Sequence, residues 1–133
     1  MVAIADGYFE GIASHDSRLV SSATDCNRFE NGVRMTNRPG AAVTPRACAA
    51  AVDRLTHIKA VPERRYPVVD EERGVVVSMV LFDIPADSGA TPPREGRMLL
   101  LAELFKIGGG EIQRIETVMH NLPHGAGSGW AVR

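Results

Sequence analysis

The sequence predicts an α+β domain: helices first, then an antiparallel meander strongly curved around an enclosed pocket. Three observations carry this. Apolar residues recur at helical spacing near the start, four extended runs fill the second half, and Gly108-Gly109-Gly110 joins the last two of them. Helices followed by strands place the helices on one face of an antiparallel sheet. A bent sheet wrapped on a helix encloses a cavity, the default ligand site. With 133 residues the chain fits a single domain, 1–133.

Ile4, Tyr8 and Ile12 stand at i, i+4 and i+8 with Ala5, Phe9 and Ala13 beside them, which predicts a helix ending near Ser14-His15. Asp16 or Ser17 caps a second short helix running to Ala23 and burying Leu19 and Val20. Cys26–Met35 reads as one strand, with Phe29, Val33 and Met35 on one face and Arg28, Glu30 and Arg34 on the other; Asn31-Gly32 shapes a bulge in it. Thr44-Pro45 reads as an N-cap and first helical residue, opening a third helix to about Leu55. Ile58–Val69, interrupted by Pro62 and Pro67, is an edge strand. Asp70–Gly74 is a charged turn, Val75–Ile84 a buried strand and Pro85–Gly96 a surface loop. Arg97–Ile107 and Glu111–Asn121 form a long hairpin, and a glycine-rich tail ends near Trp130.

Glu103, between Ala102 and Leu104, is the only charged residue inside the apolar part of its run. A carboxylate in a strand apolar on both faces is costly unless paired or neutral, so Glu103 either lines a pocket or meets an arginine at a sheet edge. Arg28 and Glu30, two residues apart on one strand face, read as a strand-surface ion pair or as pocket residues. His120 closes the last strand toward the open end of the sheet and is a candidate for ligand contact. Trp130 is a candidate plug over the cavity mouth or against a partner. His57, following the third helix, reads as a helix C-terminal residue interacting with the dipole.

A formal net charge of −1 supplies no basic field for phosphates, which argues against nucleic acid as a partner. No apolar run approaches the roughly 20 residues a bilayer span needs, and Asp6 follows the first apolar residues too soon for a signal peptide. The placement expected is cytoplasmic, a mature secreted form being the alternative. Cys26 and Cys48 read as two buried thiols near one another, and whether they are bonded depends on compartment. The four histidines are scattered, so no metal site is expected. Val77, Met79 and Leu81 alternate with Val76, Ser78 and Val80, leaving an apolar face outside the cavity, and a homodimer is expected to cover it.

Gly7–Asp16 (GYFEGIASHD) resembles the first helix of the NTF2-like superfamily, often Tyr-x-x-Ala-Leu-x-x-x-Asp. Ala23–Asn31 (ATDCNRFEN) is similar to that superfamily's passage into its first strand, and Ala102–Ile115 resembles its closing hairpin. The resemblance covers nearly the whole chain in element order and lies nearest the SnoaL-like polyketide cyclases and ketosteroid isomerase. It implies a cone-shaped α+β fold. In the isomerase a first-helix tyrosine and a protonated acid on a late strand form an oxyanion hole, while a carboxylate on the first strand moves the proton. Carried onto this sequence, Tyr8 matches the tyrosine, Glu103 the acid and Glu30 the base, so these are the expected catalytic residues, with Arg28, His120 and Trp130 expected to bind substrate. Glutamate at both acid positions reaches farther than the aspartate it replaces. The resemblance implies an enzyme without cofactor that moves a proton next to the carbonyl of a small apolar molecule. The alternatives are a non-catalytic binding module and an epoxide hydrolase using Arg28 and a carboxylate on water.

Overall fold

The computed structural model describes residues 1–42, 44–45 and 47–130. Helix α1 (Val2–Ser14) leads through a short 3-10 turn (Ser17–Leu19) into β1 (Ser22–Glu30) and β2 (Val33–Arg34). A short α2 (Cys48–Val52) follows, then β3 (Arg65–Asp70), β4 (Val75–Ile84), β5 (Arg97–Gly108) and β6 (Glu111–Pro123). The six strands form one curved sheet in the order β2-β1-β6-β5-β4-β3, with β1 parallel to β6 and every other neighbouring pair antiparallel. Helices packed on one side of an unclosed, bent sheet make an α+β cone.

α1 ends in a Schellman motif without glycine. His15 is left-handed at φ 53°, its N–H donates to the Ile12 carbonyl, and Asp16 N–H donates back to Gly11. Gly11 itself is required by packing, because a Cβ there would lie 2.6 Å from a Val20 methyl. The inner face of α1 buries Tyr8 and Phe9 against Phe82 and Phe105 in edge-on pairs with ring centroids 5.5–6.3 Å apart. From the other side Arg64 clamps the helix through Asp6 and Glu10, and Tyr66 donates to Asp6.

The β5–β6 hairpin turns at Gly109 and Gly110, with φ of 62° and 83°, the positive values a two-residue primed turn needs at both positions. Strict alternation then sorts β5. Leu99, Leu101, Glu103, Phe105 and Ile107 face inward, while Leu100, Ala102, Leu104 and Lys106 face out. The run is therefore not buried on both faces, since its outer side is partly open. Outside the cone, Leu104 and Val118 are exposed beside Met79 and Leu100.

Three local expectations are corrected. The second helix shrinks to the Ser17–Leu19 turn: Asp16 does cap it, but Ser22 joins the sheet and the Ser21 carbonyl accepts from Ile112, so strand pairing overrides helix propensity. Leu19 is consequently exposed. Cys26–Met35 is not one strand. Asn31 and Gly32, at φ 47° and 82°, form a tight hairpin turn that pairs Glu30 with Val33. Thr44 does not start a helix, because its hydroxyl donates to the Met35 carbonyl at 3.2 Å and the Pro45 carbonyl accepts from Asn37. These bonds hold the segment to the loop after β2, and α2 begins only at Cys48.

Cys26 and Cys48 are joined in a disulfide with Cα atoms 5.4 Å apart, tying β1 to α2. Proximity is as expected, while reduced thiols are not what the structure contains; a bond of this kind persists in oxidising surroundings. No helix among the described residues is long and apolar enough to cross a membrane. The bond closes a loop across a sequence separation of 22, which predicts that the Cys26→Ala/Cys48→Ala protein loses about 3 kcal/mol of unfolding free energy. Urea unfolding checks this, and an unchanged midpoint would show that the bond does not stabilise the cone.

Candidate functional site

The cone encloses a cavity of about 300 Å³. β1 contributes Arg28 and Glu30, β5 contributes Arg97, Leu99, Leu101 and Glu103, and Met35, Phe82 and Met119 close its sides. Leu55, His57 and Ile58, from the connection between α2 and β3, complete the wall. A wider recess of about 430 Å³ adjoins it at His57, but that opening is flanked by surface residues such as Lys59 and Asp87 and includes no buried charge. The enclosed cavity is the candidate site.

Arg28 is the centre of its polar wall. Only 6% exposed, it carries a buried cation that needs partners. Its Nη2 meets Glu30 Oε1 at 2.8 Å and its Nη1 donates to the Tyr8 hydroxyl at 2.8 Å. Its backbone N–H donates to Thr36 Oγ1, which in turn donates to the Cys26 carbonyl. Burial works to lower the pKa of Arg28, and Tyr8 and Glu30 outweigh it, so the guanidinium stays charged. Burial pushes the Tyr8 phenol up to about 12. Tyr8 is thus neutral near pH 7, and Glu30 is the charge that compensates Arg28.

Glu103 is 2% exposed. Thr117 Oγ1 donates to its Oε1 at 2.6 Å, across the register that sets Glu103 opposite Thr117. Burial pushes its carboxyl up to about 7, while the Thr117 hydroxyl and the Arg28 charge pull it down and Glu30 pushes it further up. Near neutral pH this carboxyl therefore exists in both protonation states, the condition that suits a proton carrier. Among the described residues three buried side-chain polar atoms have no hydrogen-bond partner: Arg28 Nε, Arg97 Nε and Glu103 Oε2. All three residues line this cavity. Buried polar atoms without partners are rare, and each calls for an explanation such as a catalytic role or a bound water or ion.

The residues picked out in the sequence divide by strand parity. Arg28, Glu30 and Glu103 come together in the cavity wall. Arg28 and Glu30 face inward, whereas Val33 is exposed, so the faces of this strand are the reverse of a simple surface ion pair. Tyr8 is fully buried behind Arg28 and does not line the cavity. In the structure Arg28 donates to the Tyr8 phenol oxygen and Thr117 donates to the Glu103 carboxyl, so Arg28 stands between Tyr8 and the cavity. His120 falls on the outer face: Thr117 and Met119 point inward, so their neighbours Val118 and His120 must point out. Trp130 packs under Arg65, 5.7 Å from its ring, and its indole N–H donates to the Glu63 carbonyl. That holds the tail on the edge strand, away from the cavity.

His57, Arg97 and Thr117 were missed. His57 is no helix-terminal residue, since α2 ends at Val52. Burial lowers its pKa, with the charges of Arg97 and Arg94 adding to the effect. Period-2 alternation back from Glu103 through Leu101 and Leu99 reaches Arg97, a signal present in the sequence. Among the described residues no group of three His, Cys, Asp or Glu side chains is placed to hold a metal ion.

Solved structures share this architecture. An LEH-like epoxide hydrolase from M. tuberculosis is 11% identical, covering 90% of this chain and 81% of its own, with a TM-score of 0.58. A proposed polyketide cyclase from Xanthomonas campestris pv. campestris is 17% identical over 88% of this chain and 87% of its own, with a TM-score of 0.62. SalBIII, an epoxide hydrolase/cyclase-like enzyme of pyran ring formation in the polyether salinomycin, is 11% identical over 90% and 89%, with a TM-score of 0.61. At such identities these likenesses speak for the fold. No curated protein matches the sequence. Residues 1–119 match one family profile, and the chain therefore belongs to the family described as Domain of unknown function (DUF8021), built on the NTF2-like fold.

Proposed function

We propose that this domain is a cofactor-independent isomerase, cyclase or lyase that moves a proton next to the carbonyl of a small apolar molecule held in the Arg28–Glu103 cavity. The observation that carries the reading is the convergence of Arg28 Nε and Glu103 Oε2, buried and unpartnered, in one largely apolar cavity. A donor and an acceptor left free on the same wall match the two ends of an enolisation. Glu103 Oε2 takes the proton from the carbon beside the carbonyl. The C–H electron pair becomes the enolate, and its oxygen receives the hydrogen bond of Arg28. Return of the proton from Glu103 to another carbon gives an isomer, loss of a leaving group gives elimination, and attack on a second carbonyl closes a ring. Tyr8 and Glu30 act as positioning residues that fix the guanidinium.

One observation favours a second reading. A carboxyl titrating near 7 and a salt-bridged carboxylate share the cavity. Protonated Glu103 can give its proton to an epoxide oxygen while Glu30 accepts one from the attacking water. Two of the structurally similar proteins are described as epoxide hydrolases or as like them. The outer sheet face, with Leu104 and Val118 exposed, is proposed to seat a second copy of the chain. Sedimentation at micromolar concentration is expected to give a dimer, and a single 14.3 kDa species would remove that proposal.

Deuterium uptake at the α-carbons of 2-tetralone, read by mass spectrometry, tests the chemistry. The protein is expected to speed exchange, with a rate that rises with pH through about 7 as Glu103 ionises. Glu103→Gln is expected to lower it about a hundredfold or more, and Tyr8→Phe by less. Hydrolysis of styrene oxide without ketone exchange would select the epoxide reading. Neither activity, with ligands still binding, would leave a binding module.

Glu103 also predicts a pH-dependent stability. Its folded pKa lies above the unfolded one, so its contribution is full below about 4.5 and is lost as pH rises through about 7. Over that window the loss is roughly 3 kcal/mol at 1.36 kcal/mol per pH unit. Urea midpoints at pH 5 and pH 8 should therefore differ more for the natural protein than for Glu103→Gln. Equal differences in the two proteins would show that Glu103 titrates normally.

A further inference from the structure

We infer that the molecule taken by this cavity is an anion, an apolar body bearing a carboxylate that docks on Arg97. This rests on the pocket reading above and names the ligand class that the pocket selects.

The inner row of β5 runs Arg97, Leu99, Leu101, Glu103, from the more exposed end of the cavity to its depth. The two ends differ in charge balance. Arg28 is matched by Glu30 at 2.8 Å. Arg97 has no ion-pair partner among the described residues, and its Nε is buried without a hydrogen bond. His57 and Arg94 stand beside it in an adjoining recess, where Asp87 and Glu95 also lie without pairing to Arg97. Burial, and after it the charges of Arg97 and Arg94, lower the pKa of His57, with Glu30 acting in the opposite direction.

A cation with an unsatisfied buried N–H at the end of an apolar chamber is completed best by an oxyanion, and the planar guanidinium fork fits a carboxylate in bidentate fashion. Leu99, Phe82, Met35 and Met119 supply the walls for the apolar body. Arg97 and Glu103 are six positions apart along the strand, roughly 20 Å of extended backbone. The anion and the reacting group therefore sit at opposite ends of the ligand, and the anion orients the reacting end toward Glu103.

The test uses 2-naphthoate and its methyl ester, which share the body and differ in charge. Each is titrated into the full chain with ¹³C-labelled methionine methyls, Met35 and Met119 reporting from the cavity and Met79 from the outer sheet face. Naphthoate is expected to bind about tenfold or more tightly than the ester, shifting Met35 and Met119. Arg97→Gln should remove that margin, weakening naphthoate about tenfold more than the ester. Arg97→Lys, which keeps the charge and loses the fork, should retain part of it. Equal affinity for acid and ester, or equal weakening of both by Arg97→Gln, overturns the anion inference and leaves the pocket standing. Shifts confined to Met79, or no binding of either compound, bring down the pocket reading as well.

Discussion

A charged guanidinium buried inside an apolar cone is the constraint on which the rest of this structure depends. Moving an arginine out of water costs several kcal/mol even after relaxation, and the cost is met only by close partners. Arg28 has Glu30 and Tyr8 on its side chain and Thr36 on its backbone. Each partner comes from a different piece of chain. Tyr8 requires α1 to lie across the sheet, Glu30 requires β1 to face inward, and Thr36 requires the Asn31-Gly32 turn to bring β2 back alongside. Two residues before Arg28 on the same inward face, Cys26 bonds Cys48 and fixes β1 against α2. The polar wall is thus held by covalent, aromatic and hydrogen-bond constraints that converge on one strand.

Sheet parity does the rest. Once Phe105 is inside against Tyr8 and Phe9, alternation puts Glu103, Leu101, Leu99 and Arg97 inside with it. The opposite register sets Thr117 across from Glu103 and Met119 across from Leu101. One aromatic contact therefore selects the whole inner lining of the β5–β6 hairpin, polar members included. A one-residue slip of β5 would turn Glu103 out and Leu104 in, removing the carboxyl that this strand contributes to the cavity.

The same parity explains what the sequence made legible. β4, the charged turn before it and the closing hairpin were readable because their apolar runs are long and bounded by strong turn residues. Glu103 stood out because nothing near it in its run is charged. Arg28 and Glu30 were identified, yet their direction was not, since Phe29 and Val33 made an equally good apolar face on the assumption of one unbroken strand. The Asn31-Gly32 pair, a strong hairpin signal, was present and read as a bulge. His120 stood out by its place near the strand end and Trp130 by its place in the glycine-rich tail; strand parity puts His120 on the outer face, and Trp130 packs on Arg65. Thr44-Pro45 met the local rule for a helix start and was captured by tertiary hydrogen bonds to Met35 and Asn37.

The strongest argument that the cavity serves a ligand comes from what a purely structural core would contain. A buried ion pair is often no more stabilising than well-packed hydrophobic residues of the same volume, and each buried polar atom without a partner costs about 1–3 kcal/mol. This domain has few large side chains to spare, yet it places two arginines and two glutamates around one chamber. It also leaves an acceptor on Glu103 and donors on Arg28 and Arg97 unsatisfied there. Leucine or methionine at those positions would satisfy the fold at lower cost. Elsewhere among the described residues buried side-chain polar atoms are partnered, so the exceptions are not a general looseness of packing. They are concentrated on one wall, where the proposed carbonyl and carboxylate would accept from Arg28 and Arg97 and leave Glu103 Oε2 free to take a proton.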